Sequence, residues 1–137
     1  MKHVVVDTNV IASFLTDRNP AQQARAAALL AAAERRELEL VVPQLVVAEL
    51  AFVLQNLYGR SPAETAATLH DLLALPGVVT EDRLPWARLF ALWPAVIADF
   101  ADAALAAVCL ERRDDAVATF DLAFRRRLGR LGLASFW

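Results

Sequence analysis

The stretch HVVVDTNV at residues 3–10 decides the fold class. Its β-branched residues form a short, continuous apolar run, which is typical of a strand buried on both faces of a parallel sheet. Helical spacing follows at once, with apolar residues on one face at Val10, Ile11, Phe14 and Leu15. A buried strand that ends at Asp7 and leads into a helix indicates an α/β fold, with a carboxylate at the end of its first strand.

The same alternation of strands and helices continues along the chain. Further strands are predicted at residues 38–42, 78–80 and 116–119, the second of these short enough for a sheet edge, and further helices at 20–36, 43–58, 61–75, 85–96, 99–112 and 121–129. This order predicts right-handed crossovers, a mostly parallel sheet and helices on both faces. With 137 residues, the chain is expected to form a single domain over 1–137.

The composition limits the class of protein and its location. The most apolar stretch, residues 41–54, is interrupted by Pro43, Gln44 and Glu49, and a membrane span needs about 18 apolar residues without such breaks. The amino terminus has too short an apolar run for a signal peptide, so a cytoplasmic location is expected. The net charge of -2 argues against binding nucleic acid by overall positive charge and leaves that task to local patches.

Cysteine and histidine chemistry is not indicated. Cys109 is the only cysteine, which excludes an internal disulfide and a thiolate zinc site, and its apolar neighbours Val108 and Leu110 predict a buried core residue. His3 and His70 have no partner at a metal-ligand spacing.

Asp7 and Asp121 are expected at one shared surface. Each follows a predicted strand and precedes a predicted helix. The carboxyl ends of parallel strands form the ligand-binding edge of an open sheet, so both side chains should lie there. A helix amino terminus also favours a negative charge, so each aspartate is either a helix cap or a member of a common acidic site.

Glu49 lies in an apolar part of its predicted helix. Its helical neighbours are all apolar, namely Leu45, Val46, Phe52 and Val53. Burying an unpaired carboxylate costs several kcal/mol even after relaxation. Glu49 is therefore expected to bind a metal, to lie at the rim of a cleft, or to pair with an arginine.

Asp99 and Asp102 lie three residues apart, on the same face of a predicted helix. Asp99 is well placed as the helix cap, and Asp102 lies one turn further in, so we favour Asp102 as a metal ligand and Asp99 as a cap or a supporting residue. Convergence of Asp7, Glu49, Asp102 and Asp121 would raise their pKa values through mutual repulsion. Mg²⁺ or Mn²⁺, which prefer oxygen ligands, would relieve that conflict.

These acidic segments resemble the motifs of PIN domains, and their order and the chain length resemble those of the VapC toxins of type II toxin–antitoxin systems. The matching segments are VVDTNV at 5–10, VAEL at 47–50, DAALAA at 102–107 and TFDLAF at 119–124. The resemblance implies a three-layer α/β/α sandwich, ribonuclease activity at a divalent-metal site, a homodimer and a cognate antitoxin. In that family, polar residues at the positions of Asn9 and Thr119 support the acidic residues. Ala104 departs from the pattern, since a bulkier residue is common there.

The chain is therefore predicted to be an endoribonuclease that uses Mg²⁺ or Mn²⁺ to cleave RNA phosphodiesters with an activated water. Asp7, Glu49, Asp102 and Asp121 are the predicted catalytic and metal-binding residues. The arginines that follow Asp121 either contact RNA phosphates or form a solvated, salt-bridged helix face; they are Arg125, Arg126, Arg127 and Arg130.

Two alternatives share the fold, namely a PIN nuclease that is not a toxin and a PIN domain used only for binding. A binding module would be expected to lack one of the acidic residues, and here all four are present. Phosphatases of the haloacid dehalogenase type and receiver domains also place an aspartate after the first strand, but they need a lysine late in the sheet. The only lysine is Lys2.

The hydrophobic fraction of 58% is high for an ordinary domain. Most of five aromatic residues on the predicted helices are expected in the core; they are Phe14, Phe52, Tyr58, Trp86 and Trp93. Apolar side chains left outside should be covered by a symmetric homodimer and, separately, by an amphipathic antitoxin segment that binds a groove along the early helices.

Overall fold

The computed structural model describes residues 1–137 as four strands and seven helices. The strands are β1 (Lys2–Val6), β2 (Leu38–Pro43), β3 (Val78–Glu81) and β4 (Ala116–Ala118). The helices are α1 (Thr8–Leu15), α2 (Pro20–Glu34), α3 (Gln44–Asn56), α4 (Pro62–Leu73), α5 (Trp86–Leu92), α6 (Phe100–Arg112) and α7 (Leu122–Arg130). The sheet order is β3-β2-β1-β4 and every pair is parallel. The predicted α/β/α fold with a parallel sheet and β3 at its edge is confirmed.

Strand β1 lies in the interior of the sheet, as its valines predict. Val4, Val5 and Val6 are completely buried, and Val4 is in register with Leu40 of β2 and Ala116 of β4. Helix α6 packs closely on the sheet, because residues 103–109 are all buried and most of them are small. Cys109 is among them, as predicted.

Side-chain caps set where several helices begin. Ser61 and Glu64 form a reciprocal capping box at α4, and Asn19 accepts a hydrogen bond from the backbone of α2. Asp99 and Asp121 cap α6 and α7. Asp99 and Asp121 are thus held at helix amino termini by hydrogen bonds to residues close to them in sequence, so their positions follow from local structure.

Helix α5 is shorter than predicted, ending at Leu92 where the sequence predicted a helix to Val96. Pro94 explains the difference, since proline disfavours helical backbone at the residue before it and cannot donate an N–H. Trp93 accordingly has an extended ψ of 136°.

The prediction that most of the five aromatic residues lie in the core is wrong. Phe52 is 63% exposed and Trp86 is 56% exposed, while Phe14, Tyr58 and Trp93 are only partly buried. Phe14 and Trp93 pack against the buried core without entering it, and Phe124 is the one aromatic residue that is fully buried. None of the helices combines the length and the apolar character needed to cross a membrane.

Candidate active site

Asp7 lies at the carboxyl end of β1, where the sequence predicted it. Its backbone N–H donates to the Ala118 carbonyl at 2.9 Å, which joins it to the end of β4. Its side chain is 9% exposed, and one carboxylate oxygen, Oδ2, accepts hydrogen bonds from Thr119 Oγ1 at 2.7 Å and from Asn9 Nδ2 at 3.2 Å. These two donors fix the orientation of the carboxylate.

Asn9 and Thr119 connect the ends of β1 and β4. Asn9 Oδ1 accepts from the Phe120 backbone N–H at 3.2 Å, and Thr119 Oγ1 accepts from the Asp121 backbone N–H at 3.2 Å. Thr119 is 1% exposed, so its hydroxyl depends on these protein partners. The structure thus brings Asn9 and Thr119 against Asp7 and holds the Asp121 backbone beside them.

Asp121 and Asp99 are both exposed helix caps. Asp121 Oδ1 accepts from the Phe124 N–H at 3.1 Å, and Asp99 Oδ1 accepts from the Asp102 N–H at 2.9 Å. The expected cap geometry of Asp99 is therefore present. In each aspartate one oxygen satisfies the helix end, and such a cap leaves the other oxygen able to accept a further partner.

Asp102 lies in the first turn of α6, close enough to Asp7 and Asp121 for their charges to act on it. Its side chain is 16% exposed, and the nearest cation is Arg127, whose Nη1 lies 3.9 Å from Asp102 Oδ2. Burial raises the pKa of Asp102 to about 7, helped by the charges of Asp99, Asp7 and Asp121 and opposed by that of Arg127.

Burial also raises the pKa of Asp7 to about 6. The hydrogen bonds from Thr119 and from the Thr8 backbone oppose that rise, and the charges of Glu49 and Asp121 add to it. The charges of Glu49 and Asp121 thus act on Asp7, and those of Asp7 and Asp121 act on Asp102. We call these four carboxylates the acidic region.

Glu49 is less enclosed by hydrocarbon than its neighbours in sequence predicted. Helix α3 buries only the stripe of Val46, Leu50 and Leu54, while Phe52 points to solvent. Glu49 is half-buried, and its Oε1 accepts a hydrogen bond from Thr8 Oγ1 at 2.9 Å rather than from an arginine. Sequence reasoning missed Thr8 as a supporting residue, although its position directly after Asp7 was a usable signal.

A divalent cation fits the chemistry of these side chains. The donors are carboxylates, which Mg²⁺ and Mn²⁺ prefer, and the raised pKa values show that the ionised forms of Asp7 and Asp102 are disfavoured without a nearby cation. No group of three or more acidic, histidine or cysteine side chains is arranged so that it could hold an ion as it stands. Binding would therefore require side-chain rotation that brings the carboxylates closer together.

The arginines of α7 divide into two pairs. Arg127 faces Asp102, and Arg125 donates to Ser135 Oγ at 3.4 Å and to the backbone carbonyl of Trp137. Arg126 and Arg130 are exposed. Of the two roles predicted for these arginines, the salt bridge applies to Arg127. Arg126 and Arg130 are exposed to solvent and are therefore the two that are free to contact RNA phosphates.

Solved structures from three organisms share this fold. Mycobacterium tuberculosis VapC20, described as a sarcin–ricin loop cleaving toxin, is 18% identical with a TM-score of 0.69, and the match covers 96% of each chain. VapBC2 from Rickettsia felis, bound to a DNA fragment from its promoter, is 12% identical with a TM-score of 0.69, over 97% of this chain and 96% of that one. A domain of a functionally unknown protein from Methanocaldococcus jannaschii is 20% identical with a TM-score of 0.56, over 100% and 91%.

At these identities, the structural matches establish the fold alone. No curated protein sequence matches the chain significantly. The model of the PIN domain matches residues 4–128, which include all four predicted acidic residues. With this match over most of its length, the chain belongs to the PIN-domain family.

Proposed function

We propose that this protein is an endoribonuclease dependent on Mg²⁺ or Mn²⁺, and that it is the toxin of a type II toxin–antitoxin system. The observation that carries the proposal is the shared acidic region at the carboxyl edge of the sheet, in which burial and neighbouring carboxylates raise the pKa values of Asp7 and Asp102. Membership of the PIN family supports the nuclease, and the fold shared with VapC toxins supports the biological role.

In this proposal Asp7, Glu49, Asp102 and Asp121 hold the metal. A cation held there would supply Lewis-acid chemistry for the activation of a water and for the stabilisation of charge on the phosphodiester. Thr119 and Asn9 keep the Asp7 carboxylate in place, and Thr8 does the same for Glu49.

Two further residues set the position and the charge environment of Asp102. Asp99 fixes the amino terminus of α6 by its cap, and thereby the position of Asp102 one turn later. Arg127 offsets part of the Asp102 charge while no cation is bound. Asp99 and Arg127 thus act on Asp102 rather than on the substrate.

RNA is the proposed substrate, and local positive charge would meet its phosphates. Arg126 and Arg130 are exposed on α7, the helix that Asp121 caps. Because the whole chain carries a net charge of -2, such local contacts matter more than the overall field.

A homodimer and an antitoxin are the proposed protein partners. Several large apolar side chains are exposed, among them Phe52, Leu57, Trp86 and Phe90. Monomers rarely leave contiguous apolar patches beyond a few hundred Å² uncovered. An antitoxin segment that places an arginine among the carboxylates would also inhibit by competing with the metal.

Induced expression in a bacterial host tests this proposal. The wild-type chain should arrest growth, and sequencing of RNA ends should reveal new, defined cleavage positions. Asp7→Asn should abolish both effects, whereas Asp71→Asn, at an exposed position on α4, should leave both unchanged. Growth arrest that survives in Asp7→Asn would contradict the proposal. Cleavage of RNA in vitro without growth arrest would instead indicate a PIN nuclease that is not a toxin.

A further inference from the structure

Aromatic and cationic side chains form a cluster beside the acidic region. The ring of Phe120 stacks on that of Trp137, with centroids 4.7 Å apart and an angle of 16° between the planes. Phe136 meets Trp137 edge-on at 5.3 Å, and the Arg25 guanidinium carbon lies 4.8 Å from the Trp137 centroid and 5.4 Å from that of Phe120. We call Arg25, Phe120, Phe136 and Trp137 the aromatic platform.

The course of the chain brings the aromatic platform to the acidic region. Residues 134–136 run parallel to β4, since the Val117 N–H donates to the Ala134 carbonyl at 3.0 Å and the Phe136 N–H to the Val117 carbonyl at 2.9 Å. Trp137 therefore lies toward the carboxyl end of β4, where Asp7 and Asp121 are found. Arg125 holds it there by donating to its backbone carbonyl.

Phe120 joins the platform directly to the proposed site. It lies between Thr119 and Asp121 in the chain, and its backbone N–H donates to Asn9 Oδ1 at 3.2 Å. Asn9, in the first turn of α1, thus supports the Asp7 carboxylate and also fixes the backbone of Phe120. A ligand on the platform would therefore lie at the carboxyl edge of the sheet, where Asp7 and Asp121 are found.

The platform combines features that suit single-stranded nucleic acid. Phe120 and Trp137 are only partly buried, so their rings are not sealed in the core, and Arg25 is exposed. Unpaired bases stack on such rings regardless of their sequence, and arginine contacts the backbone phosphates between them.

We propose that the aromatic platform stacks an unpaired RNA base next to the bond that is cleaved, with Arg25 contacting an adjacent phosphate. Trp137 and Arg25 are then positioning residues for the RNA strand. The inference rests on the proposed ribonuclease function, because it names the form in which the substrate is bound. It requires the target to be single-stranded, or unstacked, at this position.

The platform can be tested without cleavage by measuring the binding of a labelled oligouridylate to the full chain by fluorescence anisotropy. A chelating buffer removes divalent cations and so prevents cleavage during the measurement. Trp137→Ala should weaken binding about 10-fold, within the range known for the loss of one stacking contact. Trp137→Phe should restore most of the affinity, and His70→Ala, at an exposed position on α4, should bind like the wild type. Arg25→Gln should reduce the dependence of binding on salt by about one phosphate contact.

An oligomer of the same length with abasic nucleotides separates stacking from a structural role. It should bind the wild type and Trp137→Ala equally, and thermal melting should show that the variant is folded. The platform proposal would be overturned if Trp137→Ala lost affinity equally for both oligomers. It would also be overturned if Trp137→Ala bound oligouridylate as well as the wild type does, or if the wild type did not bind it. A different result would contradict the proposed nuclease function, namely RNA cleavage that persists in Asp7→Asn.

Discussion

Replacing Asp7 with asparagine should stabilise the metal-free protein at neutral pH. The ionised carboxylate lies in a buried position, 9% exposed, close to other negative charges, and its pKa rises from 3.8 to about 6. Asparagine has nearly the same volume, and its amide oxygen can still accept the hydrogen bond that Thr119 donates. The substitution therefore removes the cost of burying the charge while it keeps the packing.

The size of the effect follows from the pKa. A rise from 3.8 to about 6 corresponds to about 3 kcal/mol at neutral pH, which is an upper bound because the amide fits the site imperfectly. For a carboxylate with a raised pKa, the stabilising contribution is fully present below pH 3.8 and is lost as the pH rises through about 6. The advantage of Asp7→Asn should thus be small near pH 4, about 0.5 kcal/mol, and should reach about 1 to 3 kcal/mol by pH 7.5.

Denaturant unfolding in chelating buffer, measured at several pH values, checks this prediction. The wild type should lose stability between about pH 4 and 7, with the upper part of that range due to Asp102, whose pKa is raised to about 7. Asp71→Asn should follow the wild type, since its side chain is exposed. A loss of more than about 1 kcal/mol in Asp7→Asn at pH 7.5, or no dependence of the difference on pH, would refute the electrostatic reasoning.

Four other measurements bear on the site and the assembly. Millimolar Mg²⁺ or Mn²⁺ should raise the melting temperature of chelator-stripped wild type, by a stabilisation of about 2.7 kcal/mol at 100 times the dissociation constant, and the rise should be much smaller in Asp7→Asn. Thr119→Val should cost about 1 to 3 kcal/mol of stability in denaturant unfolding, because it keeps the shape of a buried side chain but removes its hydrogen bonds to Asp7 and to the Asp121 backbone. Asp99→Ala should cost about 1 kcal/mol through loss of the α6 cap, and Asp99→Ser, which can also cap, should recover most of it. Light scattering at about 100 μM should show a dimer, and a strictly monomeric protein at that concentration would contradict the proposed homodimer.

The position of Asp7 could be predicted from the sequence because its cause is local. A run of valines followed by helical spacing specifies a buried parallel strand, and the residue after it must then lie at the carboxyl edge. The same reasoning applies to Asp121 after β4. The cap at Asp99 was also predictable, since capping depends on residues three apart in the chain.

The surroundings of Glu49 could not be predicted in the same way. Apolar neighbours in a helix indicate which residues are able to pack, but the width of the buried stripe depends on the elements that cover the helix. Helix α3 buries Val46, Leu50 and Leu54 and leaves Phe52 exposed. The pairing of Phe120 with Trp137 has a related cause, because it depends on how irregular backbone after α7 returns along β4, and no periodic pattern encodes that path.

Cleavage of RNA by purified protein tests the central claim most directly. Asp121→Asn is the sharpest variant, because asparagine also caps helices well, so that the substitution removes the charge and leaves the start of α7 intact. We predict that the wild type and Asp71→Asn cleave RNA with Mg²⁺ or Mn²⁺ and not in the presence of a chelator. Asp7→Asn and Asp121→Asn should remain folded and should not cleave. Cleavage by either variant at close to the wild-type rate, or wild-type cleavage that persists after complete removal of divalent cations, would contradict the assignment of these carboxylates as the metal-binding catalytic site.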